Sequence, residues 1–254
     1  MGMTLSLLRY PGGKSRSAHK IASIITDKQV CSPFFGGGSV EFALAQKGTQ
    51  VQAYDAFHSL VCFWKWAQQD PNKLANEVSK YFPLNPDDFR QLQGHLTEFD
   101  VDEVDTIDVA TIFYVLNRAS FSGSTLSGGS SPSHPRFNRQ SIERLRNFSM
   151  KNITIERADF KVSIPLNDDK FLYCDPPYLL DKNASNLYGT KGNLHRFFDH
   201  ETLRDLLTKR NGWLLSYNDC EAVRKMYSGF KIEPISWAYG MNKSKLSNEV
   251  LIRG

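Results

Sequence analysis

A chain of 254 residues with 41% hydrophobic residues and 17 phenylalanines can bury a sizeable core, which excludes a wholly disordered protein. Its net charge of +4 is too small to indicate nucleic-acid binding by itself. The 4 cysteines are scattered and the 6 histidines do not cluster, so we predict neither a disulfide framework nor a metal site. No apolar stretch is long enough to cross a bilayer. We therefore expect no membrane association and a location in the cytoplasm, or in the host-cell cytoplasm if a virus encodes the chain.

Helix and strand patterns alternate at both ends of the chain. Short apolar runs predict strands, and apolar residues at helical spacing predict the helices between them. Ser39 can cap one of these helices, and Gly48 suits its end. In chain order we predict a helix around 21–25, strands at 30–31 and 51–54 flanking a helix at 40–47, strands at 153–155 and 171–174, a helix at 201–209, a strand at 213–217, a helix at 221–227, and strands at 232–237 and 249–252 that can pair as a hairpin.

The strand alternation stops between residues 60 and 150. This part has helical patterns, followed by a stretch rich in Ser, Gly and Pro from 120 to 135. The simplest architecture is an α/β sheet domain made from residues 1–59 and 151–254, interrupted by a mostly helical insertion at 60–150.

Asp175, Pro176, Pro177 and Tyr178 directly follow the predicted strand 171–174, and these residue types can hold a planar amine. A carboxylate only accepts hydrogen bonds, and neither proline has an N–H to compete with its carbonyl acceptor. Tyr178 offers a flat face on which a base can stack. A rigid turn after a strand is the alternative that these four residues leave open.

A glycine turn precedes the helix at 40–47. Gly36, Gly37 and Gly38 allow backbone N–H groups and a helix start to approach a ligand closely. Three consecutive glycines do not match the dinucleotide fingerprint, so a dehydrogenase is not indicated. Asp55 ends the next strand, where a carboxylate can accept both hydroxyls of a ribose. These features predict half of a doubly wound nucleotide-binding unit, although a flexible turn and an ordinary loop acid are alternatives.

Two further positions carry weaker signals. Lys14 follows Pro-Gly-Gly (11–13) and can meet a carboxylate or a phosphate as a compact charge. Asp159 and Phe160 combine an acceptor with an apolar face, which suits the amino group and ring of an adenine. A surface lysine in a tight turn and a strand-end acid beside a core Phe explain these positions equally well.

Nine segments along the chain form one ordered series. They are Tyr-Pro-Gly-Gly-Lys (10–14), Pro-Phe-Phe-Gly-Gly-Gly-Ser (33–39), Tyr-Asp (54–55), Asn-Arg-Ala-Ser-Phe-Ser-Gly (117–123), Ala-Asp-Phe (158–160), Asp-Pro-Pro-Tyr (175–178), Phe-Asp-His (198–200), Leu-Ser-Tyr-Asn (215–218) and Asn-Glu-Val-Leu-Ile (248–252). In this order, nearly from end to end, they resemble the Dam-like (D12 class) DNA adenine-N6 methyltransferases, which transfer a methyl group from S-adenosylmethionine.

The resemblance implies a Rossmann-like, S-adenosylmethionine-dependent methyltransferase domain with a target-recognition region inserted at 60–150. It implies that Lys14 binds the carboxylate of the cofactor, that Asp55 holds the ribose and that Asp159 with Phe160 receives the adenine. The residues implied to contact the cofactor are Tyr10, Lys14, Phe35, Gly36, Gly37, Gly38, Ser39, Asp55, Asp159, Phe160 and Asp175.

The glycine motif departs from the family at one place. The family usually has an acid two positions before the Phe of this motif, where this chain has Ser32 or Pro33. We expect this change to weaken the grip on the ammonium group of the cofactor without changing the identity of the enzyme.

The implied reaction needs alignment and charge stabilisation more than a powerful base. The N6 lone pair of adenine is delocalised into the ring, and a methylsulfonium is already a strong electrophile. Asp175 and the carbonyl of Pro176 can accept the two N–H bonds of the amine, which orients the nitrogen and stabilises the charge that develops on it. Since a base inside a duplex cannot be reached, it must be flipped out, with Tyr178 stacking on it. No metal is required.

The insertion is then the part that reads double-stranded DNA. Arg118, Arg136 and Arg139 can reach phosphates or guanine edges, and Asn138 can reach an adenine edge. Asn117 and Ser122 complete the predicted DNA contacts, because they lie in the segment similar to the family's target-recognition region. A surface charge is the alternative for each arginine.

Two other functions remain open at this point. The same four-residue motif serves an amine in RNA, so an RNA adenine-N6 methyltransferase is one alternative. The other is a catalytically silent DNA-binding protein on the same fold. The sequence does not indicate the recognition sequence, a restriction, orphan or viral role, or the oligomeric state.

Overall fold

The computed structural model describes residues 6–101, 104–126, 136–179, 197–235 and 249–254. Its strands are β1 (Gln29–Ser32), β2 (Gln50–Asp55), β3 (Ile153–Arg157), β4 (Phe171–Cys174), β5 (Trp213–Asn218), β6 (Lys231–Ile235) and β7 (Glu249–Arg253). The helices of the described residues are α1 (Ala18–Ile24), α2 (Ser39–Gln46), α3 (His58–Gln69), α4 (Pro71–Ser79), α5 (Pro86–Val101), α6 (Ile107–Ala119), α7 (Arg139–Arg146), α8 (Phe160–Leu166), α9 (His200–Thr208) and α10 (Glu221–Met226).

All seven strands form one sheet in the order β3-β2-β1-β4-β5-β7-β6. The first five strands in this order are parallel to one another, and β7 lies antiparallel between β5 and β6. This is the doubly wound order, with one added antiparallel strand. The structure therefore confirms the predicted α/β, Rossmann-like class and the pairing of the last two strands. The predicted extension of β6 to residue 237 lies outside the described residues.

The sheet is covered on both faces because successive strand residues point to opposite sides. Tyr173 and Leu214 belong to the hydrophobic cluster shared with α1, α2 and α3. Leu172, Cys174 and Leu215 belong to a second cluster, shared with α8, α9 and α10. A fully buried leucine contributes about 1.5–3 kcal/mol to folding, so both faces stabilise the central strands. The result is a three-layer arrangement with its strand ends at one edge.

The start of α2 corrects one prediction. Ser39 does not cap this helix, because it is already the first helical residue. Gly38 occupies the N-cap position with φ 67° and ψ 17°, a left-handed backbone that glycine adopts without a Cβ penalty. The geometry of the glycine turn therefore decides where the helix begins.

The described residues between 60 and 150 contain helices α4 to α7 and a short 3₁₀ turn (Phe121–Gly123). Their core is continuous with the sheet domain, since α3 packs on β2 and β3 and on α6. The rings of Phe63 and Tyr114 stack at 5.3 Å between α3 and α6. The predicted boundary at residue 60 falls inside α3, so an inserted domain that begins there remains a prediction. No helix of the described residues has the length and apolar character that a membrane span needs.

Candidate active site

The predicted site residues meet at the carboxyl ends of β1 and β4, where the strand order reverses. Ligands of doubly wound sheets bind at such a switch point. A cavity of ≈ 220 Å³ opens there. The predicted residues that line it are Tyr10, Lys14, Phe35, Gly36, Gly37, Gly38, Ser39, Asp55, Asp159, Phe160, Asp175, Pro177 and Tyr178. Of the predicted catalytic and cofactor residues, Pro176 is the one that does not line this cavity, and it is buried.

The glycine turn is pressed against Tyr10. A Cβ built on Gly36 would lie 2.8 Å from Cε1 of Tyr10, and one built on Gly37 would lie 2.9 Å from its Cβ. A Cβ on Gly38 would lie 2.6 Å from Cζ of Phe35. Contacts this short leave no room for side chains, so the turn presents bare backbone to the cavity, as a cradle for a ligand requires.

Asp55 holds the glycine turn in shape from the end of β2. Its Oδ2 accepts a hydrogen bond from the N–H of Gly36 at 2.9 Å, and its Oδ1 accepts one from Phe57 at 2.9 Å. Burial raises the pKa of Asp55 to about 6, although these N–H groups oppose that rise. Each oxygen has a second lone pair, which leaves acceptors for a hydroxyl-bearing ligand.

Lys14 is positioned by the turn that precedes it. The N–H of Gly13 donates to the carbonyl of Tyr10 at 3.0 Å, with Gly12 at φ 71°. The Lys14 ammonium donates to the carbonyl of Gly12 at 3.0 Å and to Asp175 Oδ1 and Oδ2 at 2.8 and 3.0 Å. Asp175 is therefore held in an ion pair in this structure, and Lys14 is turned toward the strand end of β4.

The segment after β4 is clamped by the end of β5. Oδ1 of Asn218 accepts the N–H of Leu179 at 3.1 Å, and its Nδ2 donates to the carbonyl of Leu179 at 2.8 Å. The ring of Tyr178 is stacked on that of Tyr217 at 6.0 Å, and the Lys14 ammonium lies 4.9 Å from the Tyr178 centroid. These contacts fix the direction in which the residues after β4 face the cavity.

Aromatic rings form the other wall. Phe34, Phe160 and Phe198 lie 5.1 to 5.7 Å apart, centroid to centroid. Asp159 caps α8, since its Oδ1 accepts the N–H of Lys161 at 2.8 Å. The wall combines an apolar surface with a carboxylate at its rim, which suits a flat heterocycle that carries an amino group.

Two buried acids at the site were missed at the sequence level. Glu41 is 2% exposed in α2 and lines the cavity, and Glu249 is 7% exposed at the start of β7. Burial raises the pKa of Asp175, and the charge of Glu249 raises it further, while Lys14 opposes both. A charged residue between Val40 and Phe42, on an otherwise apolar helix, was the signal available for Glu41.

The predicted DNA contacts divide into buried and exposed residues. Asn117 is fully buried, and its side chain binds the backbone of Arg9 at 3.1 and 2.8 Å and the carbonyl of Gly123 at 3.1 Å. Arg118 is 9% exposed and donates to the carbonyl of Arg136 from Nε and Nη2 at 3.1 and 2.9 Å. The polar groups of these two side chains are thus used inside the protein, and a direct contact of either side chain with DNA remains a prediction.

The remaining predicted contacts lie nearer to solvent. Ser122, Arg136 and Arg139 are exposed. Asn138 caps α7 in a capping box, where its Oδ1 accepts the N–H of Ser141 at 2.8 Å. Burial and the charges of Arg136 and Arg118 lower the pKa of Arg9, so several guanidinium groups are concentrated in this region.

The strand order and a cavity at the switch point of the sheet place the chain in the class of Rossmann-like, nucleotide-binding proteins. Comparison with known families then identifies the particular one. The family of D12 class N6 adenine-specific DNA methyltransferases matches residues 10–241, so the chain belongs to that family. Methyl transfer to the N6 of adenine in DNA is the reaction that defines this class of enzyme. Among the described residues, no group of three or more His, Cys, Asp or Glu side chains is arranged to hold a metal ion.

Three relatives illustrate the range of the family. The chain is 26% identical over 250 residues to the DNA N-6-adenine-methyltransferase of Escherichia phage P1, a match that covers 91% of this chain and 32% of the phage protein. It is 27% identical over 262 residues to the Type II methyltransferase M.MjaIII of Methanocaldococcus jannaschii, covering 90% and 89%. It is 22% identical over 250 residues to the DNA adenine methylase of Vibrio cholerae, covering 91% and 87%. The chain thus spans about a third of the phage relative and most of the other two.

Proposed function

We propose that the chain transfers a methyl group from S-adenosylmethionine to the N6 amino group of a flipped-out adenine in double-stranded DNA. The observation that carries this proposal is the position of Asp175. Its carboxylate lies at the end of β4 and lines the same cavity as the glycine turn, Asp55 and the aromatic wall. A methyl acceptor held by Asp175 would therefore face a nucleoside held by the rest of the cavity.

The residues present fit this cofactor. The bare backbone of Gly36 to Gly38 accommodates the amino-acid end, because any Cβ there would collide with Tyr10 or Phe35. Asp55, Asp159 and Phe160 line the cavity, and in this proposal Asp55 accepts the ribose hydroxyls while Asp159 with Phe160 receives the adenine. When bound, the cofactor supplies a methylsulfonium, an electrophile that needs no further activation.

In the proposed reaction the residues of the site bind and orient the target amine and stabilise the charge that develops on it. Asp175 and the carbonyl of Pro176 accept the two N–H bonds of the target amine, which directs the nitrogen lone pair at the methyl group. As the N–C bond would form and the S–CH3 bond of the donor would break, with S-adenosylhomocysteine as the leaving group, positive charge would develop on the nitrogen, and the Asp175 carboxylate would stabilise it. The amine then loses a proton to Asp175 or to water. Tyr178, already stacked on Tyr217, offers the face on which the flipped base lies.

Asp175 must exchange partners for this to happen. In the structure both of its oxygens accept hydrogen bonds from Lys14. We propose that the Lys14 ammonium turns to the carboxylate of the cofactor, which frees Asp175 for the amine. The cavity supports such a movement, because both residues line it and the stem of a lysine is flexible.

The arginine-rich surface supports DNA as the partner. Arg136 and Arg139 are exposed, and Arg9 lies close enough for its pKa to be lowered by Arg136. Such a concentration of guanidinium groups suits a phosphate backbone. In this proposal Asn117 and Arg118 support that surface, while Ser122 and Asn138 stay candidates for direct contact. The proposed cytoplasmic location rests on this substrate alone.

The proposal is tested by product analysis. The purified protein is incubated with labelled S-adenosylmethionine and either duplex DNA or structured RNA, and nucleosides are separated after digestion. Label in N6-methyldeoxyadenosine is expected, with turnover reduced at least about 10²- to 10³-fold in Asp175→Asn and retained in the exposed control Asp169→Asn. Label in RNA alone would contradict the DNA substrate, and binding of DNA without label in either polymer would indicate the silent DNA-binding alternative.

A further inference from the structure

Ser32 and Glu41 form a buried pair beside the glycine turn. Ser32 ends β1 at the position where the family usually carries an acid, and its Oγ donates to Glu41 Oε1 at 2.6 Å. Glu41 lies in the first turn of α2 and is 2% exposed. A carboxylate is therefore present next to the strand end after all, but it is supplied by the helix instead of the strand.

The surroundings of Glu41 leave its charge largely uncompensated. Within the described part of the chain, the hydroxyl of Ser32 is its one side-chain partner, and no ion pair joins it to a lysine or arginine. Burial raises the pKa of Glu41 to about 8; Asp175 adds to the rise, and Lys14 opposes it from a distance. A cation that enters the cavity can pair with an acid buried this deeply and favours its charged form.

We propose that Glu41, oriented by Ser32, binds the ammonium group at the amino-acid end of the methyl donor. This inference rests on the proposed function and assigns the donor's cationic group to a residue outside the family's motif. Of the residues that the structure describes, Lys14 is the one lysine or arginine besides Lys161 that lines the cavity, and it is buried there. A ligand end that carries both an ammonium and a carboxylate therefore finds an acid in Glu41 and a cation in Lys14.

The identity of residue 32 follows from the same contact. A hydroxyl can donate to the Glu41 carboxylate, whereas a second acid at 2.6 Å would repel it. The start of α2 also favours a negative charge in its first turn. Ser32 and Glu41 thus act as a unit in which the acid has moved from the strand to the helix. In this proposal Glu41 makes up for the weaker binding of the ammonium group that is expected from Ser32 alone.

Binding of two non-reactive ligands tests this assignment. S-adenosylhomocysteine carries the amino-acid end, and 5′-methylthioadenosine lacks it. Calorimetry with Glu41→Gln is expected to show about 10- to 100-fold weaker binding of the first ligand and unchanged binding of the second. Glu156→Gln, an exposed acid on β3, is the matched control. Adding Ser32→Asp to Glu41→Gln is expected to restore part of the lost affinity.

The outcomes separate the two proposals. Equal affinity of Glu41→Gln and the unaltered chain for S-adenosylhomocysteine overturns the role of Glu41, and so does an equal loss for both ligands. Failure of the unaltered chain to bind S-adenosylhomocysteine overturns the proposed function itself. Glutamine keeps the shape of the side chain and can still accept a hydrogen bond from Ser32, so the variant is expected to fold. A thermal unfolding curve checks this.

Discussion

Lys14 and Asp175, 161 residues apart in the chain, form an ion pair in which one ammonium donates to both carboxylate oxygens, at 2.8 and 3.0 Å. The Lys14 side chain is 4% exposed and that of Asp175 20%. Removing one member of a buried pair leaves the other charge uncompensated, which typically costs about 3–5 kcal/mol. The ammonium of a residue that precedes the first helix thus opposes the rise that burial causes in the pKa of Asp175, at the end of β4.

Replacing Lys14 by Met is expected to move the acid limb of the kcat/KM profile, which reports the pKa values of the free enzyme, to higher pH. Burial and Glu249 raise the pKa of Asp175 and Lys14 opposes them, so the pKa rises further when the ammonium is removed. Activity is then lost at a higher pH as the carboxylate becomes protonated. The measurement is kcat/KM against pH, with the exposed Lys28→Met as control. An unchanged acid limb in Lys14→Met would show that the pair does not tune Asp175.

Replacing Asn218 by Ala is expected to lower kcat about tenfold and leave the affinity for S-adenosylhomocysteine unchanged. The variant loses both hydrogen bonds to the backbone of Leu179, each worth about 0.5–1.5 kcal/mol, so the segment after β4 is held less firmly. Steady-state kinetics and calorimetry separate the two effects. Asn147→Ala removes one hydrogen bond on the exposed end of α7 and should change neither quantity.

Replacing Gly37 by Ala is expected to weaken binding of S-adenosylhomocysteine about tenfold or more. The added Cβ would lie 2.9 Å from the Cβ of Tyr10, so the tyrosine or the turn must move. Gly94→Ala is the matched control, because its Cβ meets nothing within 4 Å and lies in α5. This control should bind normally and be more stable by roughly 0.5–1 kcal/mol. Equal affinity of the two variants would contradict close packing of the turn.

Glu41 makes the free energy of unfolding depend on pH. Its pKa is about 8 in the folded chain against 4.5 ordinarily, so the folded state binds the proton more tightly. The contribution of Glu41 to the free energy of unfolding is therefore fully present below about pH 4.5 and is lost as the pH rises to about 8. Urea unfolding across this pH window should show that the free energy of unfolding of the unaltered chain declines as the pH rises. The decline should be smaller in Glu41→Gln. The difference should be on the order of a few kcal/mol, because the proton affinity of this buried group changes on folding. Parallel curves would contradict a buried, titrating Glu41.

Replacing both Arg136 and Arg139 by Gln is expected to weaken binding to duplex DNA of any sequence. Each arginine that contacts a phosphate contributes about 0.9 to the slope of log affinity against log salt, so the slope should become shallower by nearly 2. Fluorescence anisotropy at several salt concentrations measures it. Arg90→Gln, an exposed arginine paired with Asp87 on α5, is the control. An unchanged slope would place the DNA on another surface.

The order of strands and helices was predictable because it depends on sequence patterns that span only a few residues. The glycine turn, the apolar run before Asp175 and the acid at the end of β2 each follow from spacing within a few residues. A parallel sheet then brings strand ends to one edge, so the meeting of Asp55 and Asp175 at one cavity follows from topology. The cap of α2 was mispredicted because the left-handed Gly38 starts the helix one residue earlier than the serine pattern indicates.

What the sequence determined by itself is therefore the family, the sheet and most of the catalytic and cofactor residues at the cavity, but not Glu41. Tertiary structure alone decided which of these residues touch. The pairing of Lys14 with Asp175, the burial of Asn117 against Arg9, and the contact of Ser32 with Glu41 join residues 9 to 161 positions apart. No local pattern encodes such contacts, because burial and hydrogen-bond partners depend on how separate elements pack. The departure at Ser32 looked like a loss in the sequence, and only the packing of α2 on β1 supplied an acid for it.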